Sequence, residues 1–146
     1  MSAASTSLAP IVRSLSTGRP VTGPPNVKVA MTSIAVLESG QGLVMFPEGT
    51  RQGGPVVQEL FDGSAYVAAK TQVPIVPVGI GGSEKAMPKG AKFIHPAKIV
   101  VVIGEPLDPP APSEGGRTPR RAVKELTDQL HAEIQKLFDD ARTRAS

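Results

Sequence analysis

Apolar residues along this chain fall into two patterns, short unbroken runs and one long stripe at helical spacing. Gly42-Leu43-Val44-Met45-Phe46 ends at Pro47, Val73 to Ile80 is broken by Pro74 and Pro77, and Lys98-Ile99-Val100-Val101-Val102-Ile103 stops at Gly104 and Pro106. Runs of this length suit strands buried on both faces, as in a parallel sheet covered by helices. The two prolines in the second run cannot donate to a ladder, so that strand is expected at an edge or irregular. The stripe is Val123, Leu126, Leu130, Ile134, Leu137 and Phe138, all on one side of a helix predicted from Thr118-Pro119 to about Arg142. Proline at its first position gives up no hydrogen bond. Shorter helices are predicted over Met31–Ser39, stopped by Gly40, and over Gly63–Thr71, with Asp62 placed to cap it. Strands alternating with helices predict an α/β layered fold with a small, mainly parallel sheet, flanking helices and a long C-terminal helix. Three strands make a thin sheet for that architecture, and no internal repeat extends it.

The first thirty residues carry no period. They are rich in Ser, Thr, Ala, Pro and Gly, and Pro20, Pro24 and Pro25 deny them a helix or central strand. Residues 1–30 are therefore read as a disordered extension and residues 31–146 as the folded portion, packed from about Met31 to Arg142. The extension's acid-free, Ser/Arg-containing look is also that of a transit peptide, though composition favours plain disorder. Arg13 cuts off Ile11 and Val12, which leaves no apolar core for a secretory signal.

Composition narrows the chemistry. The 146 residues include no cysteine and only His95 and His131, which excludes a disulfide scaffold, a thiolate site and a cysteine nucleophile, and argues against an all-histidine zinc site. No run approaches the length of a membrane span. Net charge is +3, with Arg13, Arg19 and Lys28 unopposed before Leu37, and Lys85, Lys89, Lys92 and Lys98 unopposed in one loop. Such a bias suits anionic lipid or an anionic substrate. Five aromatics are too few for the stacking platforms of nucleic-acid binding.

One stretch stands out as a candidate site, Phe46-Pro47-Glu48-Gly49-Thr50-Arg51, placed directly after a predicted buried strand. Loops at strand ends are where α/β proteins hold ligands. Gly49 permits a tight turn or positive φ, Thr50 can donate a hydrogen bond, and the Arg51 fork matches a phosphate. Glu48 is placed to hold Arg51 or to accept a hydroxyl. On composition alone, an ordinary strand-to-loop junction explains the same residues. Ser83 is no nucleophile elbow, because Lys85 replaces the closing glycine.

The hexamer Phe46 to Arg51, followed by Val73-Pro74-Ile75-Val76-Pro77-Val78-Gly79-Ile80, resembles the glycerolipid acyltransferases that acylate 1-acylglycerol-3-phosphate. The two stretches are similar to that family's third and fourth conserved blocks, in order and at a suitable separation. Ile99 to Leu107 looks like the strand and G-E-P-L turn that follow, so the resemblance covers roughly Ile34 to Leu107. It implies a partial glycerol-3-phosphate acyltransferase-like fold. It also implies phospholipid-biosynthetic transfer of an acyl chain from acyl-CoA or acyl-carrier protein, as co-substrate without a cofactor or metal, to the acceptor's hydroxyl. Carried over by position, acceptor-phosphate binding falls on Glu48, Gly49, Thr50 and Arg51. A structural or pocket-lining role falls on Val73, Pro74, Ile75, Val76 and Pro77. A cytoplasmic location, at the inner face of a membrane, is the matching expectation.

The family's base, a histidine in an H-x-x-x-x-D block, has no counterpart. Five residues after His95 stands Val100, and five after His131 stands Lys136. Both histidines also follow Glu48, on the wrong side, and surface or packing roles are expected of them. Where the family often carries lysines shortly before Gly63, this chain has Phe61-Asp62. The chain thus reads as a C-terminal portion, from a truncated gene or a short non-catalytic relative that keeps only the phosphate loop. An exposed apolar sheet edge is then expected. The loop from Lys85 to Lys98 adds Met87, Phe93 and Ile94 to its lysines, which suits anionic headgroups or a solvated loop. Arg117, Arg120, Arg121 and Lys124 stand where a helix macrodipole disfavours cations, as tolerated surface charge or in answer to an anion.

Overall fold

The structure is a computed structural model that describes residues 27–49, 53–88, 91–113, 115 and 117–146. The elements are α1 (Val27–Glu38), α2 (Gly63–Thr71), β1 (Val78–Gly81), α3 (Ser83–Ala86), β2 (Val100–Ile103) and α4 (Arg120–Ala145).

Helix α1 starts four residues ahead of the predicted Met31, and the rest of the segment read as an extension, residues 1–26, lies outside the described residues. It ends as predicted at Gly40, whose φ is +78°. Gly40 N donates to Leu37 O and Gln41 N to Val36 O, the paired bonds of a Schellman stop. Helix α2 spans the predicted residues, but Asp62 does not cap it with its side chain. The Asp62 carboxylate instead accepts from the Thr127 hydroxyl at 2.8 Å and ties the start of α2 to α4. Helix α4 begins one residue later than predicted, after the Pro119 N-cap, and continues to Ala145.

The α/β layering is as expected, and the strand pairing is not. β1 and β2 run antiparallel, with Val78 opposite Ile103 and Gly81 opposite Val100. A parallel pair needs a crossover of a dozen or more residues, usually helical. The connection, residues 82–99, is long enough for a crossover but holds only the four-residue α3, and the chain returns antiparallel beside itself. An isolated antiparallel bridge joins Ile75 to Leu107. Between that bridge and the ladder, three steps on one strand face four on the other, which places a bulge at Gly104-Glu105-Pro106. Pro106, with no N–H to offer, fits that unpaired position.

The run Gly42–Phe46 forms no strand. It has no ladder partner among the described residues, and Val44 is 83% exposed. An unbroken apolar run marks a strand buried on two faces only when neighbours cover both, and here none does.

Two layers make the core. Glycines 79 and 81 turn one face of β1 onto α4 so closely that added Cβ atoms would meet α4 backbone at 2.3 Å. Next to this contact lies the main cluster of Val57, Leu60, Ala65, Ala68, Ala69, Leu107, Val123, Leu126 and Leu130, with Ile75, Ile134 and Phe138 against it. The predicted stripe of α4 is thus core. The sheet's other face is apolar and open, with Val78, Ile80, Val101 and Ile103 all exposed. The exposed edge expected from the sequence takes the form of a whole face.

Candidate functional site: the Pro47–Pro55 loop

The chain reverses direction immediately after the exposed apolar run. Gly49 N donates to Phe46 O at 3.0 Å, and Gly49 takes a φ of +71°, the positive value its sequence position suggested. Any Cβ there would stand 2.7 Å from the Phe61 ring. Glycine is therefore required twice, for the backbone angle and for the ring packed on it.

This turn is pinned to the segment that leads into α2. Phe61 N donates to Pro47 O at 2.9 Å, and Gln58 N donates to a Glu48 carboxylate oxygen at 3.1 Å. The expected roles of Glu48 were to hold Arg51 or to accept a hydroxyl; its carboxylate fastens the turn. Thr50 and Arg51 lie outside the described residues. Val57 and Leu60, on the same segment, are buried in the main cluster.

The farther end of the loop rests on α4. Val57 N donates to Gln135 Oε1 at 2.7 Å, and Gln135 Nε2 donates to Pro55 O at 3.2 Å. His131 Nε2 lies 3.0 Å from Val57 O. A carbonyl only accepts, so Nε2 carries the proton in this bond. His131 is thus occupied with packing, in keeping with its expected role, while His95 is exposed. Sequence reading missed Gln58, Phe61 and Gln135. Only their fold contacts mark them, and no spacing rule couples positions 58 and 135.

Val73, Pro74, Ile75, Val76 and Pro77 connect α2 to β1. Ile75 packs on the main cluster beside Val57 and Leu60, and so shares a core with the loop's return segment. Pro77 is fully buried, whereas Pro74 and Val76 are exposed. None of the five lines the cavity of about 390 Å³ at the far end of α4, bordered by Gly82, Glu84, Lys85, Asp139, Arg142 and Ser146.

Two of the four cations near the start of α4 find carboxylates one turn on. Arg121 bonds Glu125 at 2.8 Å and Lys124 pairs with Asp128. In each case the hydrogen bond to the carboxylate raises the cation's pKa above its ordinary value. Both pairs are exposed, so they offset the unfavourable dipole locally and add little else. In the basic loop, Phe93 and Ile94 are 78% and 77% exposed. Lys98 is not free there, because its ammonium donates to Arg144 O at the C-terminal end of α4. Among the described residues, no three His, Asp or Glu side chains stand close enough to hold a metal ion. No helix among them is long and apolar enough to cross a membrane.

Known proteins are similar to parts of this chain. A family model described as Acyltransferase matches residues 10–81, beginning inside the segment read as an extension and ending with β1. The chloroplastic 1-acyl-sn-glycerol-3-phosphate acyltransferase of Brassica napus is 33% identical over 73 residues, which cover 49% of this chain and 21% of that protein. Its Arabidopsis thaliana counterpart is 34% identical over 73 residues, covering 49% of this chain and 20% of that protein. The crystal structure of the 1-acyl-sn-glycerophosphate acyltransferase PlsC from Thermotoga maritima superposes with a TM-score of 0.67 at 29% identity. The superposition covers 82% of this chain and 46% of that one. The chain thus spans about a fifth of those curated relatives and just under half of the Thermotoga enzyme. Sequence match and shared fold together support a 1-acylglycerol-3-phosphate acyltransferase-like family for this chain, over part of a full domain.

Proposed function

We propose that the chain serves acyl transfer in phospholipid biosynthesis, and that its Pro47–Pro55 loop binds the phosphate of a 1-acylglycerol-3-phosphate-like acceptor. The observation that carries this reading is the pinned glycine turn at Glu48-Gly49, in a chain similar over about half its length to proteins named for this substrate. Arg51 would supply a planar fork and Thr50 a hydroxyl to the phosphate oxygens. In the reaction, the acceptor's free hydroxyl oxygen attacks the thioester carbonyl of acyl-CoA or acyl-carrier protein. The new C–O bond replaces the C–S bond, and the hydroxyl proton leaves with the thiol.

A second reading is favoured by the histidines. His131 is bonded to Val57 O, His95 is exposed, and neither has a carboxylate five residues on. On that reading these 146 residues bind the acceptor and do not transfer. Acyl transfer by the purified chain, with long-chain acyl-CoA and 1-acylglycerol-3-phosphate, separates the two. Turnover that falls about a hundredfold or more in Arg51→Ala, the scale set by losing a charge-assisted phosphate contact, supports the enzyme. Acceptor binding without turnover supports the second reading. Absence of both overturns the loop assignment.

Membrane contact and a cytoplasmic, inner-face location belong to the same proposal. Met87, Phe93 and Ile94, with Lys85 and Lys92, present apolar side chains among cations, the composition of a surface that meets anionic headgroups. Replacing Phe93 and Ile94 together with serine is expected to weaken binding to phosphatidylglycerol vesicles at least about thirtyfold, since each side chain buried is worth over 1 kcal/mol. Vesicle co-sedimentation checks this, and unchanged binding would remove the loop from the membrane contact.

A further inference from the structure

We propose that Gln135 and His131 of α4 are positioning residues for the acceptor-phosphate loop, holding its return end at a fixed place on the core. This rests on the loop assignment above. The loop runs from Pro47 to Pro55 and contains Gly49, Gly53 and Gly54, of which Gly49 and Gly54 have positive φ. A Cβ added at Gly53 or Gly54 would meet nothing within 4 Å. Glycine backbone gives up more conformational freedom on ordering than any other residue, and binding that has to order it weakens by that cost. Anchors at both ends lower it.

The first anchor is the Pro47–Glu48 turn on Gln58 and Phe61. The second is the Gln135 amide, which is used in full. Its oxygen accepts from Val57 N, and its nitrogen donates to Pro55 O and to Asp139 Oδ1 at 3.1 Å. Because the acceptor faces an N–H and the donors face a carbonyl and a carboxylate, only one orientation of the amide satisfies all three. His131, one helical turn earlier on the same side, takes the remaining Val57 carbonyl. Segment 53–57 has no ladder of its own, so these two side chains supply the hydrogen bonds a neighbouring strand would give. Both flank the apolar stripe at Leu130 and Ile134, which anchors α4 in the core. The loop's return end thus takes its register from a helix packed into the core.

The test uses the full 146-residue chain with glycerol 3-phosphate as probe, its affinity read by NMR titration and its amide exchange read alongside. Gln135→Leu is expected to weaken the probe about tenfold and His131→Ala about threefold, the scale of one or two backbone hydrogen bonds. His131→Gln, which keeps a donor at similar reach, should return to within about twofold of wild type. Gln135→Glu keeps the acceptor for Val57 N and loses the donor to Pro55 O, so it should fall between wild type and Gln135→Leu. In Gln135→Leu the Val57 and Gln58 amides should exchange at least about tenfold faster while β1 and β2 keep their rates. If Gln135→Leu fails to fold, the His131→Ala and His131→Gln pair decides. Wild-type binding left unchanged by every variant overturns the positioning role and leaves the phosphate loop standing. A wild-type chain that binds no probe overturns the loop assignment, and the positioning role with it.

Discussion

Alanine at Gly79 is expected to cost the chain about 3 kcal/mol or more of folding stability, the upper range for overpacking a tight contact. The added Cβ would stand 2.3 Å from the carbonyl carbon of Leu137 and 2.5 Å from both its oxygen and the nitrogen of Phe138. All three are backbone atoms in the middle of α4, so no side-chain rotation relieves the contact. Gly81 faces the carbonyl of Ala141 one turn later in the same way, and so the two strand positions form a seat for the helix. Relief requires lifting α4 from β1, and that in turn unpacks Leu137. Val78→Ala supplies the control, since Val78 points to the open face and its loss should stay within about 1 kcal/mol. Urea unfolding of the three proteins reads the difference directly. A Gly79→Ala chain as stable as Val78→Ala would mean that α4 does not rest on this strand.

That seat was hidden in the sequence. Val78-Gly79-Ile80-Gly81 reads as half of an apolar run, and nothing in its alternation says that the glycines, not the valine and isoleucine, turn inward. The inversion follows from the approach of α4, a long-range contact that no local pattern carries. Elements whose signal is local came through. The stripe of α4, the stop at Gly40 and the bounds of α2 each depend on residues within a few positions of one another. Features that depend on partners did not. Strand direction is left open by an eighteen-residue connection, and Asp62 could reach either its own helix or Thr127, which becomes its neighbour only in the folded chain. The candidate site divides in the same way. Its glycine turn is legible in Pro47-Glu48-Gly49, while its anchors on Gln58, His131 and Gln135 join residues up to 80 positions apart.

Leu130→Ala is expected to lower stability by about 3 kcal/mol, within the range measured for leucines that leave a cavity. Leu130 is 1% exposed and lies in the main cluster with Val57 and Leu60. Those two residues flank Gln58, whose amide fastens Glu48, so any collapse into the cavity draws on the same segment that fixes the loop. The loss should therefore appear twice, as a lower urea midpoint and as faster exchange of the Gln58 amide under native conditions. Val44→Ala makes the opposing case. Had Gly42–Phe46 been the buried strand its composition suggests, truncating Val44 would cost more than 1 kcal/mol. At 83% exposure the expected change is within about 0.5 kcal/mol. The two variants together measure whether the core of this chain lies between α4 and the loop's return segment or beneath the run that precedes it. Equal losses from both would mean that the core does not lie between α4 and the return segment.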